Sequence, residues 1–396
     1  MNKVSERIYY VGANDRQKHL FENMIPLPYG VSYNSYLIVD EKVALVDTFD
    51  SCFSEQCFKK IKNVLGDRNI DYLIINHAEP DHSGSINMIK LNYPNIKIIG
   101  NAKTFRLIEG YYGINDNFVE VKDGDTLDLG HHKLNFYLVP MVHWPETMVT
   151  YDATESILFS CDAFGCFGTL DGGVIDTQIN TDKYWNEMRR YYANIVGKFG
   201  VPVQNALKKL SCLTIKTICP SHGPVWKENI NKVIGLYDKW SRYESEEEGV
   251  VLAYGSMYGH TEQMAETVAQ GLVDGGVKNV VIHNVSKSHS TTILSDIFRY
   301  KGLIIGSPTY SNELYPEIVT LLHKIESHGV KNRLFSYFTG FSWASAAFKN
   351  MTEFAERMKW EVTGKPIEQQ YTLTQDKEQA FYELGKAMAE RLKKDK

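Results

Sequence analysis

The segment 76–84, Asn-His-Ala-Glu-Pro-Asp-His-Ser-Gly, constrains this chain more than any other stretch, because four potential metal ligands fall within six of its residues. An apolar, β-branched run at 71–75 precedes the segment and predicts a buried strand. Pro80 and Gly84 are expected to keep the segment itself out of regular structure. Imidazole and carboxylate groups suit first-row metal ions, and four donors exceed what one catalytic ion takes from a single loop. The segment therefore predicts a site for two metal ions rather than a polar surface loop with chance histidines, and its candidate ligands are His77, Glu79, Asp81 and His82.

Three isolated residues repeat this arrangement further along the chain. His143, Asp162 and His222 each follow a short apolar run that predicts a strand. Each of them alone is more often a hydrogen-bonded loop residue, but together they place one potential ligand at the end of each strand. We therefore add all three to the predicted metal site. Asp47 also ends a predicted strand, and we expect it to order a neighbouring loop rather than to bind metal.

The composition limits the classes of function. The chain has 396 residues, a length typical of two domains, and its 43% of apolar residues is enough for sizeable cores. A formal net charge of −5, with no basic run, argues against a nucleic-acid-binding surface. We find no signal peptide and no apolar stretch long enough to span a bilayer, so we expect a cytoplasmic protein without a membrane partner. Six cysteines without a C-x-x-C pair predict reduced thiols rather than a rubredoxin-type or zinc-ribbon site.

The second half of the chain opens with a predicted phosphate-binding loop. An acidic tract at 244–249 is expected to be a solvated linker between two domains. A strand at 250–254 follows, then a loop of glycine and hydroxyl residues, then a helix that starts near Glu262. Backbone N–H groups and the helix dipole bind anions at such a junction. The loop has neither the Walker nor the G-x-G-x-x-G pattern. It resembles the phosphate loop of flavodoxins, and its candidate contacts are Ser256, Met257, Tyr258, Gly259, His260 and Thr261.

Two further strands, at 303–306 and 334–338, open into loops that carry aromatic side chains. In a doubly wound sheet, ligands bind where loops leave the carboxyl ends of the strands. Three loops at that edge suit a flat ring with a phosphate tail, and the alternative is ordinary surface aromatics. The candidate contacts in these two loops are Pro308, Thr309, Tyr310, Asn312, Thr339, Gly340, Phe341, Ser342 and Trp343.

The pattern H-x-E-x-D-H at 77–82, with the three downstream candidates, resembles the metal site of the metallo-β-lactamase fold. That fold usually carries H-x-H-x-D-H and binds two zinc ions. The form with a glutamate at the position of Glu79 is that of the flavodiiron family, whose members bind two irons, and a carboxylate is a harder donor that favours iron. The resemblance covers nearly the whole chain. It implies an α/β and α+β protein, with a metallo-β-lactamase-like αββα sandwich over 1–247 followed by a flavodoxin-like doubly wound parallel sheet over 248–396 that binds FMN.

The same resemblance implies a ligand set for the two irons. One iron would be held by His77, Glu79 and His143, and the other by Asp81, His82 and His222. Asp162 would bridge the two ions. Tyr192 and Trp144 are candidates to line the substrate pocket, with plain core packing as the alternative.

The resemblance also implies an activity and partners. Such proteins reduce dioxygen to water, nitric oxide to nitrous oxide, or both, and so protect against oxygen or nitrosative stress. Electrons reach the diiron site through FMN from an external donor such as rubredoxin or, in methanogens, a reduced deazaflavin. The subunits pair head to tail, so we expect a homodimer, or a tetramer built from such dimers.

Two other classes of function stay open at this point. The first is a dinuclear zinc hydrolase with a fused flavodoxin-like sensor domain, which the fold permits and Glu79 argues against. The second is an electron carrier in which the metal site is purely structural. Structural sites usually close four ligands around one ion, whereas seven ligands on two ions leave room for substrate.

Overall fold

The structure is a computed structural model that describes residues 2–394, and the chain divides into two compact units. One unit takes the residues up to Tyr192 together with Phe199–Asp238, and the other takes Ala193–Lys198 and the chain from Lys239 onward. The boundary that we predict between residues 247 and 248 remains a prediction.

The body of the first unit consists of two sheets. The first sheet has the spatial strand order Ile8–Tyr10, Tyr36–Val39, Val43–Val46, Tyr72–Ile74, Lys97–Gly100 and Phe118–Glu120. The second sheet has the order Thr126–Asp128, Lys133–Leu138, Met148–Asp152, Ile157–Cys161 and Thr217–Pro220. Two small hairpin-like pairs join Ala13–Asp15 to Val31–Tyr33 and Leu20–Phe21 to Ile25–Pro26. Both large sheets mix antiparallel and parallel pairing.

The two large sheets face each other across a buried interior. The ring of Tyr36 in the first sheet lies 5.4 Å from the ring of Phe159 in the second, centroid to centroid. Thr150 in the second sheet donates a hydrogen bond of 2.8 Å to the side-chain oxygen of Asn76. The helices that precede residue 247 are Ser54–Leu65, Pro80–Ser83, Ile86–Asn92, Ala102–Tyr112, Asp182–Tyr191, a π-helical turn at Tyr192–Val196, Gly200–Leu210 and Ile230–Ser241. The predicted metallo-β-lactamase-like sandwich is confirmed.

The ligand-rich segment is more regular than we predict. Residues Pro80–Ser83 form a short helix, because proline at the first position of a helix loses no hydrogen bond. The backbone N–H groups of His82 and Ser83 both donate to the carbonyl of Glu79, at 2.9 Å. The expectation of irregular structure between Pro80 and Gly84 is therefore wrong.

The second unit is built on one parallel sheet. Its spatial order is Val280–Asn284, Glu247–Tyr254, Tyr300–Tyr310, Leu334–Phe341 and Glu361–Val362, with Ile367–Gln370 also paired to the fourth strand and Glu313–Leu314 to the third. The helices are His260–Asp274, Ser290–Arg299, Pro316–Ser327, Ala347–Met358 and Gln375–Lys393. The sequential order 2-1-3-4-5 is that of flavodoxin-like doubly wound sheets, which confirms the predicted fold.

Three strand limits in this unit differ from our predictions. The first strand begins at Glu247, whose carboxylate pairs with Arg299 at 2.8 Å, so the acidic tract is partly built into the sheet rather than a free linker. The third strand continues to Tyr310 and the fourth to Phe341. Sheet pairing overrides the loop-forming tendency of proline, glycine and serine at these strand ends. Among the described helices, none combines the length and apolar character that a membrane span requires.

Asn34 fastens the loop that carries His222 to the rest of the first unit. Its side-chain amide donates to the carbonyls of Pro220 and Gly223, each at 2.8 Å, and its backbone N–H donates to the carbonyl of Ser221. Asn34 is buried, so water does not reach these carbonyls and cannot take the place of Asn34 as their hydrogen-bond donor.

We predict that Asn34→Ala lowers the free energy of unfolding of the first unit by about 2–3 kcal/mol, because buried carbonyls lose their donor. Equilibrium urea unfolding measures the change. Asn135→Ala is the matched control, since Asn135 donates to Thr126 on the exposed surface and its loss is expected to cost less than about 0.5 kcal/mol. Equal effects of the two substitutions would contradict the fastening role of Asn34.

Candidate metal centre and ligand pocket

The structure brings the seven predicted metal ligands together in two groups in the first unit. In the first group, the ligand atoms of His77, Glu79, His143 and Asp162 all lie within 4.8 Å of one another. A carboxylate oxygen of Glu79 lies 3.1 Å from Nε2 of His77 and 3.2 Å from Nε2 of His143. Atoms at these distances surround a point that a single ion can occupy.

The second group consists of Asp81, His82 and His222, whose ligand atoms also lie within 4.8 Å of one another. The two carboxylate oxygens of Asp81 face one imidazole each. Oδ1 lies 3.4 Å from Nε2 of His82, and Oδ2 lies 3.2 Å from Nε2 of His222. The short helix at Pro80–Ser83 supplies two of these three side chains.

Asp162 lies between the two groups. Its Oδ2 is 3.4 Å from Nε2 of His77 and 3.1 Å from Nε2 of His143. Its Oδ1 is 2.9 Å from Nε2 of His82 and 3.6 Å from Nε2 of His222. One carboxylate therefore presents one oxygen to each group, which is the arrangement of a bridging ligand.

The sandwich explains why these distant residues meet. Asp162 directly follows the strand Ile157–Cys161, and His222 follows Thr217–Pro220, the neighbouring parallel strand. The segment that begins at His77 follows the strand Tyr72–Ile74 of the facing sheet. Asp47 orders this segment, as we predict, because its carboxylate accepts hydrogen bonds from the backbone N–H and the side-chain amide of Asn76 at 2.7 and 3.0 Å.

Glu146 is a residue of this site that sequence reasoning missed. It is buried, and its Oε1 accepts hydrogen bonds from Nδ1 of His77 at 2.6 Å and from the backbone N–H of Ala78 at 3.1 Å. Nδ1 of His222 similarly donates to the carbonyl of Ser32 at 2.6 Å. A proton fixed on Nδ1 leaves the lone pair of Nε2 directed at the centre of the site. The sequence offers one weak signal for Glu146, namely its position three residues after His143.

Aromatic rings surround the imidazoles. The rings of Phe21 and Tyr191 each lie 5.5 Å from that of His222. Trp144, a predicted pocket residue, packs edge-on against His77 at 5.0 Å. Tyr192, the other predicted pocket residue, packs against Tyr237 at 4.9 Å, and its place in the pocket stays a prediction. The neighbouring Tyr191, which we did not predict, is the tyrosine whose ring faces His222.

The buried acids and imidazoles stabilise each other's charged forms. Burial alone lowers the pKa of a histidine, but hydrogen bonds to Glu146 and Glu79 outweigh it and raise the pKa of His77 to about 10. Against the same effect of burial, neighbouring carboxylates raise the pKa of His143 to about 10 and that of His82 to about 9. Burial favours the neutral acid at Asp162, yet the facing imidazoles hold the pKa of this carboxyl well below its usual range. Mutual charge compensation of this strength marks functional sites.

Several buried polar atoms at the centre of the site face charged neighbours at ion-pair distances but make no hydrogen bond of acceptable geometry among the described residues. They are both carboxylate oxygens of Asp81, Oδ1 of Asp162, and Nε2 of His82 and of His222. Buried polar atoms are nearly always paired, and these converge where cations would pair them. Four imidazoles and three carboxylates form a donor set of intermediate hardness that fits two iron ions.

A cavity of about 760 Å³ lies in the second unit. Most of the predicted contacts line it, namely Ser256, Met257, Tyr258, His260, Thr261, Pro308, Thr309, Tyr310, Asn312, Gly340, Phe341, Ser342 and Trp343. Of the remaining two predicted contacts, Gly259 is the residue before the helix His260–Asp274, and Thr339 is buried in the sheet; neither is part of the described lining. The lining also contains Tyr371, which follows the strand Ile367–Gln370 and marks a fourth loop at the same edge that we missed.

The cavity combines an anion cradle with aromatic faces. Gly259 has φ 91°, a conformation that glycine adopts readily, and its N–H donates to Oγ of Ser256 at 3.1 Å. The loop thereby delivers its backbone to the amino terminus of a 15-residue helix, where an anion is stabilised. None of the described lining residues is lysine or arginine. At the mouth, the side chains of Trp343 and Tyr258 are 90% and 86% exposed, so their faces are available to a flat ring.

Comparison with known proteins agrees with both halves of this description. Residues 31–223 match the family model described as ODP family beta lactamase, and residues 252–383 match the flavodoxin model. A nitric oxide reductase of Moorella thermoacetica is 32% identical over 394 residues, with 98% of each chain covered.

Solved structures superpose over almost the full length. Rubredoxin oxygen:oxidoreductase from Desulfovibrio gigas is 28% identical, with a TM-score of 0.94 and coverage of 99% of this chain and 98% of that one. The flavodiiron protein from Giardia intestinalis is 26% identical, with a TM-score of 0.95 and coverage of 99% and 97%. With the ligand pattern, the order of the two folds and these full-length similarities in agreement, the chain belongs to the flavodiiron family.

Proposed function

We propose that this protein is an oxidoreductase that reduces dioxygen to water, nitric oxide to nitrous oxide, or both, at a diiron centre, and that it uses FMN to relay electrons. The observation that carries the proposal is the position of Asp162, which offers one carboxylate oxygen to each of two groups of ligands. A single-ion site has no need of such a carboxylate. Membership of the flavodiiron family supports the same function.

In this proposal each of the two groups would hold one iron. His77, Glu79 and His143 would hold the first, Asp81, His82 and His222 would hold the second, and Asp162 would serve both. When bound, two ferrous ions and reduced flavin together supply the four electrons that take dioxygen to two waters, and the coupling of two nitric oxide molecules to nitrous oxide and water needs two of them.

The surrounding residues orient the ligands and limit the access of water. Glu146 and the carbonyl of Ser32 hold the protons on Nδ1 of His77 and His222, so each Nε2 is directed at the centre of the site, where it would bind iron. The rings of Phe21 and Tyr191 cover one side of His222. Glu79, Asp81 and Asp162 would supply the negative charge that balances two bound iron ions.

FMN fits the cavity of the second unit. The loop Ser256–Thr261 and the amino terminus of the following helix would bind its phosphate through backbone N–H groups and hydroxyls, without a cationic side chain from the described lining. The aromatic side chains Tyr310 and Trp343 would contact its ring. These features match the predicted cofactor.

We also propose an electron donor, an assembly and a location for the protein. The external donor is rubredoxin or a similar carrier, the assembly is a head-to-tail homodimer that can pair further into a tetramer, and the location is cytoplasmic. Strongly exposed aromatic side chains around the cavity, Tyr258 and Trp343 among them, support coverage of this face by a partner.

We predict that Asp162→Asn lowers the iron content and slows the oxidation of the reduced protein by both gases at least about 100-fold, because both groups lose a charged ligand. Metal analysis and anaerobic stopped-flow mixing with dioxygen and with nitric oxide measure this. Asp67→Asn, at an exposed position, is the control.

The same mixing experiments on the unmodified protein distinguish the two gases as substrates. Fast flavin and iron oxidation by dioxygen marks an oxygen reductase, and efficient nitrous oxide formation with slow dioxygen turnover marks a nitric oxide reductase. Bound zinc with flavin inert to both gases would contradict the proposal and favour the hydrolase.

We predict that iron loading of the metal-free protein at pH 7 releases protons. The pKa values of His77 and His143 are raised to about 10 and that of His82 to about 9, so these imidazoles hold protons at neutral pH that the metal must displace. Iron affinity should therefore rise with pH through this range and fall as the pH drops below 7. Anaerobic titration calorimetry in buffers of different ionisation enthalpy counts the protons. Heats that do not depend on the buffer would disprove this prediction, and Glu146→Gln should reduce the release because His77 loses a charged partner.

We predict that Thr261→Val raises the dissociation constant of FMN roughly tenfold or more, because a hydrogen bond to a charged group contributes about 1.5–3 kcal/mol. Thr261 is buried and lines the cavity at the amino terminus of the helix. Fluorescence titration of the flavin-free protein measures the affinity. Thr267→Val, further along the same helix and outside the described lining, should bind FMN as the unmodified protein does. An unchanged affinity in Thr261→Val would place the phosphate elsewhere.

A further inference from the structure

A second cluster of potential metal ligands lies in the first unit, apart from the candidate diiron centre. His131, His132 and Glu155 offer ligand atoms that all lie within 4.8 Å of one another. The two histidines lie in the turn between the antiparallel strands Thr126–Asp128 and Lys133–Leu138. Glu155 lies in the turn between the antiparallel strands Met148–Asp152 and Ile157–Cys161 of the same sheet.

His132 is held in the orientation of a metal ligand. It is 0% exposed, and its Nδ1 lies 2.8 Å from a carboxylate oxygen of Asp152, also 0% exposed in its side chain. Its Nε2 is buried and has no hydrogen-bond partner among the described residues. The closest carboxylate oxygen of Glu155 lies 3.9 Å from this Nε2, which is too far for a hydrogen bond. A carboxylate on Nδ1 with an open Nε2 is the pairing that orients histidine toward a metal.

The two turns are fixed to each other by hydrogen bonds through Thr154, and the first turn is also fixed to Asp40. The hydroxyl of Thr154 donates to the carbonyl of His131 at 3.1 Å and accepts from the backbone N–H of Lys133 at 3.2 Å. The backbone N–H of His132 donates to Asp40 at 2.6 Å. The backbone around the three donors is therefore set before any ligand arrives, while the exposed His131 side chain can adjust.

From this geometry we infer that His131, His132 and Glu155 form a site for one divalent cation of the zinc type. Zinc binds two histidines and one carboxylate at about 2.0–2.2 Å in a tetrahedral arrangement, which places the ligand atoms about 3.4 Å apart. The separation of 3.9 Å between Nε2 of His132 and the carboxylate of Glu155 is about 0.5 Å longer, and a small rotation of the partly exposed Glu155 side chain would close the difference. Water occupies the fourth position, and the ion joins two turns of the second sheet.

The site is independent of the diiron centre. The strand Lys133–Leu138 begins next to His132, and its other end leads toward His143. The five steps between its 6 residues, at about 3.4 Å each, put about 17 Å between the two ends. The alternative role for His132 is that of an imidazolium that pairs with Asp152 and Glu155 without metal.

We would test this by titrating the full-length, iron- and FMN-loaded protein with Zn²⁺ against a chromophoric chelator, with iron and flavin measured in the same samples. The expected result is one additional equivalent of zinc at unchanged iron content. His131→Ala and Glu155→Gln should each weaken this binding at least about tenfold, because a tetrahedral site loses one of three protein ligands. Both substituted side chains lie at or near the surface, so the fold tolerates their loss.

His323→Ala is the control, since this histidine is exposed on the helix Pro316–Ser327. It should retain the additional zinc with unchanged affinity. Equal zinc binding in all four proteins would overturn the inference, because the bound ion would then lie elsewhere. The absence of an additional equivalent in the unmodified protein would equally overturn it and assign His132 to the imidazolium pair.

Discussion

The burial of one carboxylate, that of Asp162, is the constraint on which the first unit depends. The residue is 1% exposed, and a charge removed from water costs several kcal/mol unless partners surround it. Four imidazoles provide that compensation, two on each side. These imidazoles come from segments as distant in sequence as His77 and His222. The negative charge of Asp162 is therefore compensated once the two sheets have packed against each other. Compensation by buried carboxylates also explains the raised pKa values of His77, His82 and His143, which are a property of the folded site rather than of the local sequence.

The outer hydrogen bonds extend this constraint into the sheets. Glu146 reaches His77 from the loop that also carries His143, and it binds the backbone of Ala78 at the same time. Ser32 reaches His222 through its carbonyl, and Asn34, two residues on, fastens the loop around it. The imidazoles of His77 and His222 are thus each positioned by a segment other than their own. Such cross-links keep the donors in place before metal arrives, which lowers the cost of binding.

The sequence predicts the parts of this protein that are local, and misses those that depend on distant contacts. The pattern at 77–82 and the strand ends before Asp162 and His222 are readable because each ligand follows its strand directly. Glu146 is not readable, because its partner His77 lies 69 residues away. Tyr191, whose ring faces His222, also escapes sequence reasoning, because it lies at the end of a helix just before a π-helical turn that the sequence does not predict. In the second unit, pairing with neighbouring strands extends the third and fourth strands through residues that favour loops.

The two histidine clusters of the first unit follow one physical rule with different consequences. In both, a buried carboxylate binds Nδ1, Glu146 for His77 and Asp152 for His132, and so directs Nε2 away from its anchor. At His77 two carboxylate oxygens lie 3.1 and 3.4 Å from that Nε2, and this concentration of negative charge favours tight binding of cations. At His132 the carboxylate of Glu155 stands 3.9 Å away, so the local field is weaker. A single, exchangeable cation with a structural or regulatory role fits this site. The two catalytic iron ions would bind more tightly, at the opposite end of the same sheet.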